Sequence, residues 1–345
     1  MGQLIQLTPT PAVFPRTGPL LDTYGRVHSD LRISVTDRCN IRCSYCMPEQ
    51  GGEFAPISSL LTFDQIERFV RLGASLGLRK LRLTGGEPLL RPKLPLLIER
   101  LAQIEGIEDL ALTTNAVLLA GMAKDLYAAG LRRLNIHLDT LDRERFRTVT
   151  RRDELPRVLA GIDAAEAAGF RSIKLNAVAM KGVSEPDIIP LARMARERNM
   201  QVRFIEFMPL DGQQLWALDR VLSMDQMMAA IVAEFGPLTP VPDADPRAPA
   251  TEFKFSDGQR IGFIASVTRP FCLNCNRLRL TADGKLRYCL FALEETDIRP
   301  LLKAQDTEPE LTAAIRSTVM RKWLGHAINR ESFVAPQRPM YSIGG

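Results

Sequence analysis

The chain has 345 residues, 46% of them hydrophobic and 25% charged, enough to build one large α/β domain with an appendage and no covalent staples. No run of about eighteen apolar residues is present, which excludes a helical membrane span, and the start, Met1-Gly2-Gln3-Leu4-Ile5, lacks the basic and apolar regions of a secretory signal. The net charge of +5 includes no basic run and no basic–aromatic interleaving, so neither nucleic acid nor membrane is an expected partner, and a reducing, cytoplasmic setting is expected.

Residues 1–30 contain Pro9, Pro11, Pro15 and Pro19, show no clear period, and read as an irregular arm. From residue 31 the pattern alternates. Strand-length apolar runs occupy 31–36, 80–84, 109–113, 133–138, 172–179 and 201–207. Helical spacing fills 60–76, 92–104, 121–129, 155–168 and 185–198. In the first of these, Thr62 and Gln65 are placed as a capping box ahead of Ile66, Phe69, Val70 and Gly73. Strands that alternate with helices pair in parallel. Residues 31–235 therefore predict a partial (β/α)6 TIM-type barrel, with a doubly wound sheet as the competing arrangement. A helix at 223–235 and the proline-rich stretch 236–249 lead into a further region, 236–345. That region has short strands at 252–255, 260–265, 277–281 and 285–288 and helices at 296–304 and 309–323.

Polar residues gather where the strands end: Thr84-Gly85-Gly86-Glu87-Pro88, Thr113-Thr114-Asn115, His137 and Asp139, Lys174 and Asn176, Glu206 and Met208. In a barrel these ends form one mouth, where active sites are built. Arg outnumbers Lys four to one. Codon preference accounts for such a surplus, and so do guanidinium forks that clamp an anionic nucleotide.

All six cysteines fall into two triplets, Cys39-x3-Cys43-x2-Cys46 directly after the first strand and Cys272-x2-Cys275-x13-Cys289 near the other end. Thiolates select iron–sulfur clusters, zinc or Cu(I). Three thiolates on a four-iron cubane leave one iron open to a small molecule. Zinc would need a fourth ligand at each triplet, and the chain has only His28, His137 and His326. A disulfide pair with a spare thiol is the remaining reading.

The first triplet with Tyr45 before its last cysteine, and the Gly85-Gly86-Glu87-Pro88 segment, resemble the radical S-adenosylmethionine (SAM) superfamily. The second triplet, Arg-Phe-Ile-Glu-Phe-Met at 203–208 and the terminal Gly344-Gly345 narrow the resemblance to the GTP 3′,8-cyclase family, from about residue 20 to the terminus. The resemblance implies a radical SAM partial barrel with a C-terminal α+β region covering its mouth, two [4Fe-4S] clusters, and SAM. Cys39, Cys43 and Cys46 would hold the SAM cluster, and Cys272, Cys275 and Cys289 the second. Tyr45, Gly86, His137 and Met208 match SAM-contacting positions, although the family usually has Ser where this chain has His137. Arg32, Arg82, Thr113, Lys174, Arg277, Leu278 and Arg279 match GTP-contacting positions. Arg32, Arg277, Arg279, Gly344 and Gly345 would serve the reaction itself. It also implies GTP as substrate, a reductant such as flavodoxin or ferredoxin, a homodimer, and cyclic pyranopterin monophosphate synthase as the next enzyme. The rival readings are a peptide- or RNA-modifying radical SAM enzyme with an auxiliary cluster, and a non-catalytic zinc-binding interaction module.

Overall fold

The computed structural model describes residues 17–211, 216–330 and 333–344. Six strands, β1 (Asp30–Ser34), β2 (Lys80–Thr84), β3 (Asp109–Thr114), β4 (Arg133–His137), β5 (Ser172–Ala179) and β6 (Gln201–Glu206), pair in parallel and in sequence order. Between them lie α1 (Phe63–Ser75), α2 (Leu94–Ala102), α3 (Ala123–Ala128), α4 (Arg143–Thr150), α5 (Leu155–Ala167) and α6 (Ile188–Glu197), and α7 (Met224–Phe235) follows. The Thr62–Gln65 capping box is present in full, and Ile66, Phe69, Val70 and Gly73 are the buried face of α1. Burying Phe69 completely stabilises by roughly 2–3 kcal/mol.

The strands follow a period-two rule. On β5, Ile173, Leu175, Ala177 and Ala179 join the hydrophobic core, while Lys174, Asn176 and Val178 take the other face. Leu31 and Ile33 on β1, and Leu81 and Leu83 on β2, likewise enter the core and leave Arg32 and Arg82 on the opposite face. One face of the sheet is therefore apolar and covered by helices; the other is polar and faces a lumen.

Beyond residue 236 the chain returns to the same sheet. It contributes β7 (Thr239–Pro240), β8 (Thr251–Lys254), β9 (Arg260–Ile264), β10 (Arg277–Leu280), β11 (Lys285–Arg287) and β12 (Thr296–Asp297). β9 pairs in parallel with β6 and β10 in parallel with β1, giving the order β12-β11-β10-β1-β2-β3-β4-β5-β6-β9-β8-β7. Arg277 and Arg279 of β10 line the same cavity as Arg203 and Ile205 of β6 and Ile264, so the sheet curls around it. This is a partial barrel, not a flat doubly wound sheet. Three helices complete the chain: α8 (Arg299–Lys303), α9 (Glu308–Met320) and α10 (Met340–Ile343). No helix among the described residues is long and apolar enough to cross a membrane.

Two details depart from the sequence reading. The proline-rich stretch is no loose connection: Lys80 Nζ lies 3.4 Å from Asp245 Oδ2, Arg277 donates to the Arg247 carbonyl at 3.0 Å, and Pro249 lines the cavity. The described part of the arm is held by side-chain contacts: Asp22 accepts from Tyr24 N at 2.9 Å and Arg26 N at 3.0 Å.

Glu206, fully buried at the end of β6, ties three segments together. It accepts from Met224 N at 3.0 Å, from Val267 N and Thr268 N at 2.8 Å each, and from the Thr268 hydroxyl. Glu206→Ala strands these donors, and buried unsatisfied groups cost about 1–3 kcal/mol each. Thermal denaturation should show a loss of at least about 3 kcal/mol for Glu206→Ala; a stability within error of the wild type would contradict the assignment.

Candidate active site

The first cysteine loop is held by the elements on either side of it. Val35 N donates to Thr84 O at 2.9 Å, Gly86 N to Thr36 O at 2.9 Å and Glu87 N to Arg38 O at 2.7 Å, so the segment after β2 is zipped onto the segment entering the loop. Only glycines fit this seam. A Cβ at Gly85 would meet Thr36 O at 2.2 Å, and one at Gly86 would meet Arg38 O at 2.4 Å and Asp37 O at 2.7 Å. On the other flank, Arg42 N donates to Thr150 O at 2.8 Å and Ser44 N to Val149 O at 2.9 Å, docking the loop onto the C-terminal end of α4. Arg151 donates to Met47 O at 3.0 Å.

Glu87 is fully buried beneath the loop. It accepts from Leu89 N at 3.0 Å, Thr114 Oγ1 at 2.7 Å and Asn115 N at 2.7 Å, and burial pushes its carboxyl up to about 7. Asn115 in turn donates to Asn40 Oδ1 at 2.8 Å and lies 3.7 Å from Cys39 Sγ. Behind the loop, Tyr45 donates to Asp139 at 2.7 Å and meets the imidazole of His137, whose Nε2 is 2.9 Å from Asp139. Burial alone would discharge His137, but the Asp139 carboxylate holds its pKa well above the ordinary histidine value.

Cys39, Cys43, Cys46, Tyr45, Gly85, Gly86, Asn115, His137 and Met208 line one cavity. An adjoining cavity is lined by Cys272, Cys275 and Cys289 together with Arg32, Arg82, Arg203, Arg277 and Arg279. Thr113, Asn176, Ile205, Met208 and Met340 belong to both. The two chambers share one wall.

The second chamber is cationic. Among the described residues no carboxylate lies within ion-pair distance of Arg32, Arg82, Arg277 or Arg279. Burial and the neighbouring Arg279, Arg82 and Arg277 push Arg32 well down, and burial with Arg277 pushes Arg279 down to about 9. Guanidinium stays charged at neutral pH, so the depression reflects a demand for an anion. Arg32 Nε, Thr113 Oγ1 and Asn176 Oδ1 are buried without a partner there. Lys174 lines neither chamber; its ammonium, lowered to about 7 by burial and Arg203, lies 4.0 Å from Glu252. Leu278 sits between the two arginines, but its side chain is in the helix-facing core.

The chain end enters this arrangement. Gly344, at φ +88°, approaches Ser34 Cβ to 3.0 Å and Thr84 Cγ2 to 3.1 Å at its Cβ position, and its carbonyl accepts from Arg279. Tyr341 packs on Gly52 and, ring to ring at 6.0 Å, on Phe54. Gly345 lies outside the described residues.

Sequence reasoning missed several supports. α4 carries only Phe146 and Val149 as apolar buried residues, too weak a stripe to announce itself. Arg26, in what read as an irregular arm, donates to the carbonyls of Cys272 at 2.8 Å, Trp323 at 2.6 Å and Leu324 at 3.1 Å. Asn176 was legible as a strand-end polar residue, although nothing singled it out as part of the wall between the chambers.

Comparison with known proteins agrees with this geometry. The Radical SAM superfamily model matches residues 33–195 and the Molybdenum Cofactor Synthesis C model residues 200–328. Native anSMEcpe with bound AdoMet superposes with a TM-score of 0.59 at 13% identity, covering 90% of this chain and 93% of that one. SuiB of Streptococcus suis bound to S-adenosylmethionine gives 0.59 at 14%, covering 84% and 67%. The fold is that of the radical SAM enzymes. More narrowly, a GTP 3′,8-cyclase of Rhodopirellula baltica is 49% identical over 330 residues, 94% of this chain and 92% of that protein. A GTP 3′,8-cyclase 2 of Mycobacterium tuberculosis is 45% identical over 341 residues, 97% and 94%. The chain belongs to the GTP 3′,8-cyclase family.

The residues fit the clusters that this family uses. All six thiols are free. Burial pushes Cys39 up to about 12, with Glu87 adding to it, so packed thiolates are unfavourable there without a bound cation. Gly86→Ala would force the 36–38 backbone off the seam. The purified variant should reconstitute with about half the wild-type iron while keeping its fold by circular dichroism; full iron loading would contradict the seam's role.

Proposed function

We propose that this chain converts GTP into (8S)-3′,8-cyclo-7,8-dihydroguanosine 5′-triphosphate, the first step of molybdenum cofactor synthesis. The observation that carries the reading is the shared wall between a thiol-lined chamber and a cationic, thiol-lined chamber. Cys39, Cys43 and Cys46 would hold the cluster that takes SAM, and bound SAM would supply 5′-deoxyadenosyl radical chemistry for removing the 3′ hydrogen of the GTP ribose so that this carbon bonds guanine C8.

The protein's own part is positioning and exclusion of water. Tyr45, Gly86, His137 and Met208 hold SAM against the wall. His137 is oriented for this by Asp139 and Tyr45. Arg32, Arg82, Arg277 and Arg279 take the polyanionic substrate, each relieved of a buried and unpaired charge, and Thr113 offers its free hydroxyl. The guanine lies at Cys272, Cys275 and Cys289. Lys174 meets the far end of the substrate when Glu252 releases it, and Leu278 contributes backbone only. Arg279 holds the Gly344 carbonyl at the mouth, which closes the chambers from water. Each turnover consumes two electrons, one to cleave SAM and one, with a proton, to close the shell of the cyclised nucleotide, so a one-electron donor such as flavodoxin or ferredoxin serves the enzyme twice per turnover in the cytoplasm. The chain works as a homodimer and hands its product to cyclic pyranopterin monophosphate synthase.

The test is anaerobic. Cys43→Ser should lose both SAM cleavage and GTP conversion. Cys272→Ser should retain SAM cleavage while product falls by at least about a hundredfold. Gly344→Ala, whose Cβ crowds Ser34 and Thr84, should bind both clusters and still fall by a factor of ten or so in product. Near wild-type product from Cys272→Ser would sink the substrate role of the second triplet.

A further inference from the structure

Lys322 is 4% exposed, lines the chamber of the second triplet, and has no use in the reaction described above. The sequence reading ran a helix over 309–323, with Lys322 in its last turn, but α9 ends at Met320 and Lys322 is buried. Its ammonium donates to Arg277 O at 2.8 Å and to Tyr288 O at 2.7 Å. Those carbonyls belong to the residue two beyond Cys275 and the residue just before Cys289. Two N–H groups of Lys322 thus have carbonyl acceptors on either side of the triplet, and Cys275 and Cys289 line the chamber that it faces. No carboxylate pairs with it among the described residues.

A buried ammonium without a counter-ion costs several kcal/mol, and three thiolates are the anionic partner at hand. Arg277, two residues beyond Cys275 and lining the same chamber, is the next cation beside them. The residues that follow Lys322 grip the other side of the triplet. The Trp323 and Leu324 carbonyls accept from Arg26, which also holds Cys272 O and is itself paired with Asp22 at 2.5 Å. One short segment, 322–324, therefore joins the Cys272 loop to the distant Cys289.

We propose that Lys322 is a positioning residue of the second cluster: it pins Cys289 to Cys275 and sets a fixed positive charge against their thiolates, which raises the reduction potential of the cluster they hold. A cation beside thiolate ligands favours the more negative, reduced state. The inference rests on the cluster reading of this triplet.

The experiment uses the full chain carrying Cys39→Ser, Cys43→Ser and Cys46→Ser, so that only the second cluster forms. Iron content is followed by a redox titration read by electron paramagnetic resonance. About four irons per chain are expected with Lys322 intact; none would overturn the cluster reading itself, independently of Lys322. Lys322→Met should load less iron, and what it loads should titrate at a more negative potential. Lys322→Arg should restore most of the iron and most of the potential. Absence of iron in Lys322→Met with loading in Lys322→Arg supports the pinning role on its own. Full loading of Lys322→Met at an unchanged potential overturns the proposal. So does equal iron loss in both variants together with an equal fall in thermal stability, which would make the position one of packing alone.

Discussion

Cations buried against one another, with no carboxylate within ion-pair distance among the described residues, are the constraint on which the rest of the molecule depends. Arg32, Arg82, Arg277 and Arg279 come from three adjacent strands, β1, β2 and β10; besides burial, Arg279, Arg82 and Arg277 lower the proton affinity of Arg32, and Arg277 lowers that of Arg82 and Arg279. Such a group is stable only on a framework that cannot relax. The parallel register supplies it, pairing Arg32 with Arg82 on one side and with Arg279 on the other. The unmet demand for negative charge is then available to a polyphosphate. A folded chain that leaves this charge uncompensated has an anion site prepared before any anion arrives.

The same strands position the redox chamber. The seam that Gly85 and Gly86 permit fixes the first cysteine loop against the end of β2, one residue pair away from the arginine row. Thr113 and Asn176 stand between the chambers with polar atoms unpartnered, and the chain end passes over both, with Gly344 held by Arg279. Ligation, substrate binding and closure are thus consequences of one sheet, not of separate modules. The C-terminal strands extend that sheet at both edges.

Much of this was legible in the sequence because the signals were local. The strand–helix alternation, the Thr62 capping box and the parity that sends Arg32, Arg82, Arg277 and Arg279 to one face all follow from neighbouring residues. What stayed hidden depends on contacts between distant segments. Arg26 looks like part of a proline-rich arm until it meets Cys272, some 246 positions away. Lys322 reads as the last turn of a helix until α9 stops short. Glu87 and Glu206 read as strand-end acids that could face a ligand, whereas the folded chain uses both as buried acceptors for backbone N–H groups. Leu278, matched by position to a substrate contact, is turned into the core by the parity that sends Arg277 and Arg279 to the chamber.

The central claim is that the two chambers bring the ribose of a nucleotide in the cationic chamber to a radical generated in the other. The most direct measurement is an anaerobic incubation of the reduced, cluster-loaded protein with SAM and GTP deuterated at the ribose 3′ carbon, with mass analysis of the nucleosides formed. The account predicts deuterium in the 5′-deoxyadenosine and a cyclised nucleotide that has lost it. Unlabelled 5′-deoxyadenosine formed alongside unchanged GTP would contradict it.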